Sequence, residues 1–570
     1  MRRPATVPFG GRPRSPGYVR LVALGAALTL VFAACGGKDK KSSANKDQKG
    51  TASGAKQGGV FRLGIAEPTA IDPYNSQESE GILVTKQLFV GLVSNPNDAG
   101  EIQPGVAEKW SKNSDCTEWT FNLRSGTTFS NGDPVDAAAF IRGMTRSAKQ
   151  SAASDVAYHM AGIAGYADLH GTGVEGAPPA TATTFSGLSA PDPNTLLVKL
   201  SAADCEFDKK TLQSVMDPVP VSAGEANNKA FNDMPIGNGP FKMKEPWRHD
   251  QGINLLRNDR YFGDKAHLDE VAITILPTQG AVEAEYKGLQ SGQFDFARIP
   301  PALIPQAKAE FEPKGAFFHQ LSNGINYLLV DVTTPPLAKA DARKAISLAI
   351  DRDAIISGVF KGLQTKATSI VPPVFKAYYQ AGVCDVCDKP DATRAKALAA
   401  SGGLLPGTKV NLAFNTGGGH EAWVQAIQQQ LQDTLGLKVE LQPYPFKEML
   451  QKEAAKGAAG LWRAAWSADY PSAENFLFPL LSKKSLPPGD NRGRYDNAKF
   501  DDLLVQARKT PDDAERAKLI KQAEQVAIGE DMALIPLWYR DQYRVFDAAK
   551  WRNVAIDFNE NATLSVIGLK

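Results

Sequence analysis

Beyond residue 58 the chain has no surplus of basic side chains. Residues 1–34 hold five arginines (Arg2, Arg3, Arg12, Arg14, Arg20) and no acid, and residues 36–58 hold six Lys and two Asp. What remains, residues 59–570, carries 53 basic and 60 acidic side chains, a net −7. A mildly acidic body lacks the clustered Lys and Arg that phosphate neutralisation needs, which excludes nucleic acid as its partner. Histidine is scarce as well. The six (His159, His170, His249, His267, His319, His420) are scattered, none forms an H-x-x-x-H pair, and His420-Glu421 is followed at 424 by Val. There is no G-x-S-x-G elbow and no G-K-[ST] after Gly237-x-Gly239-Pro240. These absences remove the zinc-hydrolase, α/β-hydrolase and phosphate-loop signatures. No fixed-period repeat is present, and after residue 34 no stretch is long and apolar enough to span a membrane.

What is present is ordinary for a globular protein: 43% hydrophobic and 22% charged residues, over a length of 570 that calls for two or three domains. The N-terminus is different. A basic, Pro- and Gly-rich start leads into Leu21 to Ala34, fourteen residues with only Thr29 polar, the length of a signal-peptide apolar region. It ends in Phe32-Ala33-Ala34-Cys35-Gly36, which resembles the bacterial lipobox with Phe32 where Leu is usual. The resemblance implies a signal peptide over 1–34 and lipidation at Cys35. Gly36 to Gly58 contains no large apolar residue and reads as a flexible tether.

Four cysteines remain after Cys35. In an oxidising compartment they allow three pairings, of which Cys116 with Cys205 and Cys384 with Cys387 is favoured. Cys384-x-x-Cys387 could also be a redox or zinc half-site. The lack of a second C-x-x-C and the isolation of His420 favour a small structural loop disulfide.

Strand and helix patterns alternate, which argues an α/β class. Trp119, Phe121 and Leu123 alternate with polar residues, as do Leu196, Val198 and Leu200 after the turn at Pro191-Asp192-Pro193-Asn194, and Val271, Ile273 and Ile275. Asp133-Pro134 predicts a helix start, with Val135, Ala138, Ile141 and Met144 on one face. Ala342 to Ile350 predicts a second helix. Glu421 to Leu435, then Gly436 and Val439-Glu440-Leu441, predicts helix, turn and strand. Gly237-x-Gly239-Pro240 predicts a turn with unusual backbone angles.

Six collinear segments resemble the family 5 extracellular solute-binding proteins, the oligopeptide- and dipeptide-binding group that serves ABC importers. They are Gly58-Gly59-Val60-Phe61-Arg62 with Asp72-Pro73 and Gly91-Leu92; Pro104 to Trp110 with Trp119 to Arg124 and Phe129 to Pro134; Pro235 to Phe241 with Asn258 to Gly263; Arg343 to Arg352; Trp466-Ser467-Ala468-Asp469-Tyr470-Pro471; and Glu530 to Leu537. The resemblance spans about residues 58–540 and implies a periplasmic-binding-protein-like fold (class II, cluster C), two hinge-linked lobes with an extra domain. Carried over, domain I holds 59–103, 232–322 and 535–570, domain II holds 104–231, and domain III holds 323–534. The hinge crossings fall near Asn323 and near Ile535-Pro536.

The resemblance also assigns roles. Asp469 pairs with a peptide's α-ammonium group, and Arg463 can meet the carboxylate of a short peptide. Trp466 and Tyr470 supply stiff apolar walls, and Ser467 offers its backbone groups. Ala465 stands where the family often has Gly. Asn323, Asn326 and Tyr327, at the crossing between lobes, line the cleft. A charge in a dry cleft needs an opposite partner, so a carboxylate for the ammonium is physically apt. The expectation is a monomeric lipoprotein, without cofactor or metal, on the outer face of the cytoplasmic membrane (cell surface or periplasm). It captures peptides for a permease and its ATPase subunits. The alternatives are a non-peptide cargo (nickel chelate, haem, oligosaccharide, opine), a surface signalling or adhesion lipoprotein, and a secreted hydrolase.

Overall fold

The computed structural model describes residues 54–95, 101–171, 180–277, 279–416, 418–487 and 489–570. The leader, Cys35 and nearly all of the tether lie outside the described residues. Strands sort into three main sheets, each with its own core, and the class is α/β. The first sheet has four strands in the order Val60–Ala66, Glu270–Leu276, Gly252–Arg257, Phe241–Met243. Its first pair is parallel and joins two segments about two hundred residues apart. Phe61, Leu63, Val271, Ile273, Leu255 and Phe241 face its core, and the C-terminal residues Trp551, Leu564 and Ile567 close over it.

The second sheet is wholly antiparallel: Ala107–Lys112, Glu118–Leu123, Thr195–Lys199, Leu188–Asp192. The alternation read from Trp119, Phe121 and Leu123 is realised, with all three buried and their neighbours outside. Cys116, in the turn between the first two of these strands, is bonded to Cys205, closing a loop of 89 residues. A loop of that length stabilises mainly by restricting the unfolded chain. Replacing both cysteines with Ser should cost about 2–4 kcal/mol, seen as a lower urea midpoint, with a steeper slope because the unlinked chain exposes more surface when unfolded. An unmoved midpoint would show the bond to be dispensable. Cys384 and Cys387 are bonded as well, both buried.

The third sheet, of seven strands, builds the larger body. Its main path is Phe296–Arg298, Ile535–Phe546, Phe317–Val330, Leu461–Ser467, Lys409–Asn415, Lys438–Tyr444. Two of these strands are long because they serve two bodies. Phe318 stacks on Phe546 at 5.3 Å against the first core, whereas Ile325 to Val330 and Ile535 to Tyr539 are buried in the third core. Between the halves the register slips, from Leu321 opposite Asp541 to Ile325 opposite Tyr539. Ile535, Leu537, Trp538 and Tyr539 are all committed to the larger core.

Local expectations fared unevenly. The helix Glu421–Leu435 ends at Gly436, whose φ of 67° is the left-handed stop, and passes into the strand Lys438–Tyr444. The second predicted helix is Ala340–Ala349. The helix expected from Asp133-Pro134 starts later, at Ala137, with Asp136 as cap accepting from the Ala139 N–H at 2.9 Å. Backbone bonds from Val135 N–H to Thr127 and from Phe129 N–H to Asp133 hold the preceding residues extended. The buried face turns accordingly to Ala137, Phe140, Gly143 and Met144, leaving Ala138 exposed. Gly237 and Gly239 are required by close approach rather than by unusual angles. A Cβ on Gly237 would lie 1.8 Å from the Leu88 carbonyl oxygen, and one on Gly239 2.4 Å from that of Gln87.

Candidate functional site

A cavity of about 880 Å³ opens where the sheets meet, with Asn323, Ser467, Ala468, Asp469 and Arg540 on one wall. Tyr158, His159, Gln213 and Ser214 come from the second body, and Glu78, Lys86 and Asp557 to Glu560 from the first. Strand alternation positions the wall formed by the larger body. Along Leu461–Ser467, Trp462, Ala464 and Trp466 pack on the third core, which sends Arg463, Ala465 and Ser467 to the opposite face. The chain then leaves the sheet and presents Asp469.

Asn475 holds this turn in place. Its side-chain oxygen accepts from the Asp469 backbone N–H at 2.8 Å and from the Trp466 indole N–H at 3.2 Å. Its amide nitrogen donates to the Asp469 carboxylate at 3.0 Å. Asn323 fastens the other side, donating to the carbonyls of Ala468 at 3.3 Å and Phe558 at 3.1 Å. From the second body Gln213 donates to the Asp469 carbonyl. Among the described residues no cation lies within ion-pair distance of the Asp469 carboxylate. Burial pushes it up to about 6, against the Asn475 hydrogen bond and with help from the charge of Asp490. His159 is driven by burial down to about 3, so it faces the cavity neutral.

Of the residues singled out from sequence, Asp469, Ser467 and Asn323 line this cavity, and Trp466, Tyr470, Arg463, Tyr327 and Asn326 do not. Trp466 is half-buried against the core, its indole engaged by Asn475. Tyr470 is buried and donates its hydroxyl to Glu474 at 2.6 Å, beneath the Lys210 ammonium. Arg463 is half-buried and donates to Asn415 at 3.3 Å. Tyr327 is buried in the core, and Asn326 pairs within the sheet with Ala465 and Trp538. Residues not anticipated are Asn475, Gln213, Tyr158, His159 and Arg540. Arg540 donates to Ser467 Oγ at 2.7 Å and sits 3.8 Å from Glu560. Only Asn475 left a trace, six positions after Asp469; the others come from segments whose patterns say nothing of a cleft.

Below this wall the second and third bodies interlock. Cys205 N–H donates to the Arg508 carbonyl at 2.9 Å, and Glu206 accepts from Lys209, the Tyr378 hydroxyl and the Ser472 hydroxyl, with Arg516 at 3.7 Å. Glu474 takes Arg508 and Tyr470, with Lys210 at 3.6 Å. Both carboxylates are buried. Among the described residues no group of His, Cys, Asp and Glu could hold a metal ion, and no helix is long and apolar enough to cross a membrane.

Sheet-built bodies joined by two continuous strands around a polar cavity define a two-lobed solute-binding protein. Residues 101–487 match the family described as bacterial extracellular solute-binding proteins, family 5 middle, and the chain belongs to that family. It is 28% identical over 534 residues to the oligopeptide-binding protein OppA of Bacillus subtilis (strain 168), covering 91% of this chain and 93% of that one. It is 29% identical over 489 residues to the probable deoxycholate-binding periplasmic protein YgiS of Escherichia coli (strain K12), covering 84% and 88%. The solved structure of clavulanic acid biosynthesis oligopeptide binding protein 2 superposes with a TM-score of 0.78 at 20% identity, covering 90% of this chain and 96% of that one.

Proposed function

We propose that this protein captures peptides outside the cytoplasm and delivers them to the permease of an ABC importer, and that it is not an enzyme. The observation that carries the reading is Asp469: a carboxylate on the cavity wall, oriented by Asn475, desolvated and, among the described residues, without a cation in ion-pair distance. A peptide's α-ammonium group is the partner it lacks, and the pair would gain strength in a dry site. The name of the Bacillus subtilis relative supports this cargo. Ligand contacting both lobes favours the closed arrangement over the open one, the bias a delivery protein needs. The hinge is proposed at the register slip near Asn323 and Arg540. Cys35 would carry the lipid and residues 36–58 the tether, keeping a monomeric body near its membrane partner.

The direct test is mass spectrometry of ligand released from protein purified without refolding; a defined set of peptides supports the reading, and a non-peptide solute overturns it. Incubation with the same peptides should leave them intact, and cleavage would argue for a hydrolase. The pH dependence follows from Asp469. Its carboxyl is raised to about 6 in the empty site, and only the ionised form pairs with an ammonium group. Affinity for a peptide with neutral side chains should therefore be highest near pH 7, fall above about pH 8 as the peptide's own α-amino group loses its proton, and fall as pH drops through 6, by about tenfold per unit once the acid form dominates. Calorimetry at pH 7.5 and pH 5 with a neutral tripeptide checks it, and a flat profile would place the ammonium elsewhere.

A further inference from the structure

Seven carboxylates line the cavity (Glu78, Glu80, Asp155, Asp264, Asp469, Asp557, Glu560) against two cations, Lys86 and Arg540. Both cations are already committed, Lys86 to the Leu212 carbonyl and Arg540 to Ser467 and Glu560. Glu80 sits 3.9 Å from Arg298 outside the lining. The other five acids have no cation within ion-pair distance among the described residues. Several are held by neutral donors instead: Glu78 by the Thr69 and Gly81 N–H groups, Asp155 by Asn75 and Gln77, Asp557 by the Asn561 N–H at 3.0 Å. Neutral donors orient a carboxylate without cancelling its charge.

Two further features point to an occupant. Ser214 Oγ and Ser76 Oγ, on side chains more than nine-tenths buried, line the cavity with no hydrogen-bond partner. Tyr158 presents an open aromatic surface, 53% exposed, and its phenol feels the charge of Asp469 across the cleft. An aromatic face beside a carboxylate suits a cation. His159, its ring centroid 4.2 Å from that of Tyr158 and tilted by 33°, stays neutral and adds no opposing charge.

From this lining we infer that the cleft selects peptides carrying positive charge beyond the N-terminal ammonium, namely Lys or Arg side chains, with Asp557 and Asp264 as the second anchor. The inference rests on the peptide reading above and deepens it. One ammonium can neutralise Asp469 but leaves uncompensated Asp557, which has no cation within ion-pair distance among the described residues; burial pushes that group up to about 6, even though its backbone hydrogen bonds and the more distant charge of Lys86 draw it down. An acidic side chain would enter a field of its own sign, while a basic one is drawn in by it. The acidic body, net −7 over residues 59–570, acts in the same direction at longer range.

The test uses three tripeptides with Ala at both ends and Lys, norleucine or Glu in the middle, measured by calorimetry on the full chain. The Lys peptide should bind about fivefold more tightly than the norleucine one, and the Glu peptide most weakly. The spread should narrow in 0.5 M salt, as screening requires. Asp557→Asn should narrow the Lys–norleucine gap, and so should Asp264→Asn, whose exposed side chain spares the fold. Equal affinities, a preference for Glu, or variants that weaken both peptides alike overturn the inference. If no peptide binds, the peptide reading fails, and spermidine decides the charge inference separately: binding weakened by Asp557→Asn upholds it, and no binding overturns it.

Discussion

Asp469→Asn should weaken binding of a free-amine peptide by well over tenfold, about 1.4 kcal/mol at the least and toward the 2–5 kcal/mol typical when one partner of a buried charge pair is removed. The substitution keeps the shape and the bond to Asn475, so the turn survives. What disappears is the charge, and the ligand's ammonium is then buried without a counter-ion. N-acetylation of the peptide is the complementary change, made on the ligand. Applied to the variant, acetylation should cost little more, because each change removes the same interaction; the double cycle reads their coupling directly. Additive losses would mean that the ammonium sits elsewhere in the cavity. Asn475→Ala is the informative neighbour: it frees the carboxylate, the Asp469 N–H and the Trp466 indole at once, so affinity should fall with the charge still present.

That neighbour shows where sequence reading stops. Asp469 was legible because a short motif carries it, and the sheet strands were legible because alternation of Trp119, Phe121 and Leu123 or of Val271 and Ile273 is a local property. The helix cap moved from Asp133 to Asp136 because a backbone bridge from the turn just upstream, Thr128 opposite Pro134, claimed the residues between. The family resemblance cast Tyr470 and Trp466 as stiff apolar walls of the cleft. The structure gives their polar ends to Glu474 and Asn475. Tyr158 and Gln213 reach Asp469 from some 250 to 310 residues upstream, and no periodicity reports such a meeting. Gly237 and Gly239 were flagged as a turn, but what demands glycine is the backbone of Leu88 lying against them.

The second large effect concerns Glu206, which sits between two bodies. Its carboxylate is buried, and burial alone would raise its pKa. Lys209 and Arg516 outweigh that penalty, and with the Tyr378 hydroxyl they hold the group down at about 2. Because the folded value lies below the ordinary one, the stabilisation is complete above about pH 4.5 and is lost as pH falls toward 2. Glu206→Ala leaves Lys209 in the interior at neutral pH without its carboxylate, takes from Arg516 one of its two carboxylates (Asp513 remains), and leaves the Tyr378 and Ser472 hydroxyls without their acceptor. Breaking one side of such a network costs about 3–5 kcal/mol. The urea midpoint should drop accordingly, and the variant should lose the stability difference between pH 5 and pH 2.5 that Glu206 contributes to the parent. The functional consequence follows from where the partners lie. Tyr378, Ser472 and Arg516 belong to the larger core's body, while Glu206 follows the disulfide-anchored Cys205 of the second. Weakening this seam therefore loosens the contact between the two bodies without touching the cavity wall, and if that contact holds the ligand-bound form together, bound peptide should dissociate faster while its association rate holds. Ser472→Ala, which removes one neutral donor and leaves the charges paired, should show the same direction at about 1 kcal/mol. Stopped-flow dissociation that is unchanged in Glu206→Ala would mean that the seam stabilises the fold and has no part in holding the lobes closed.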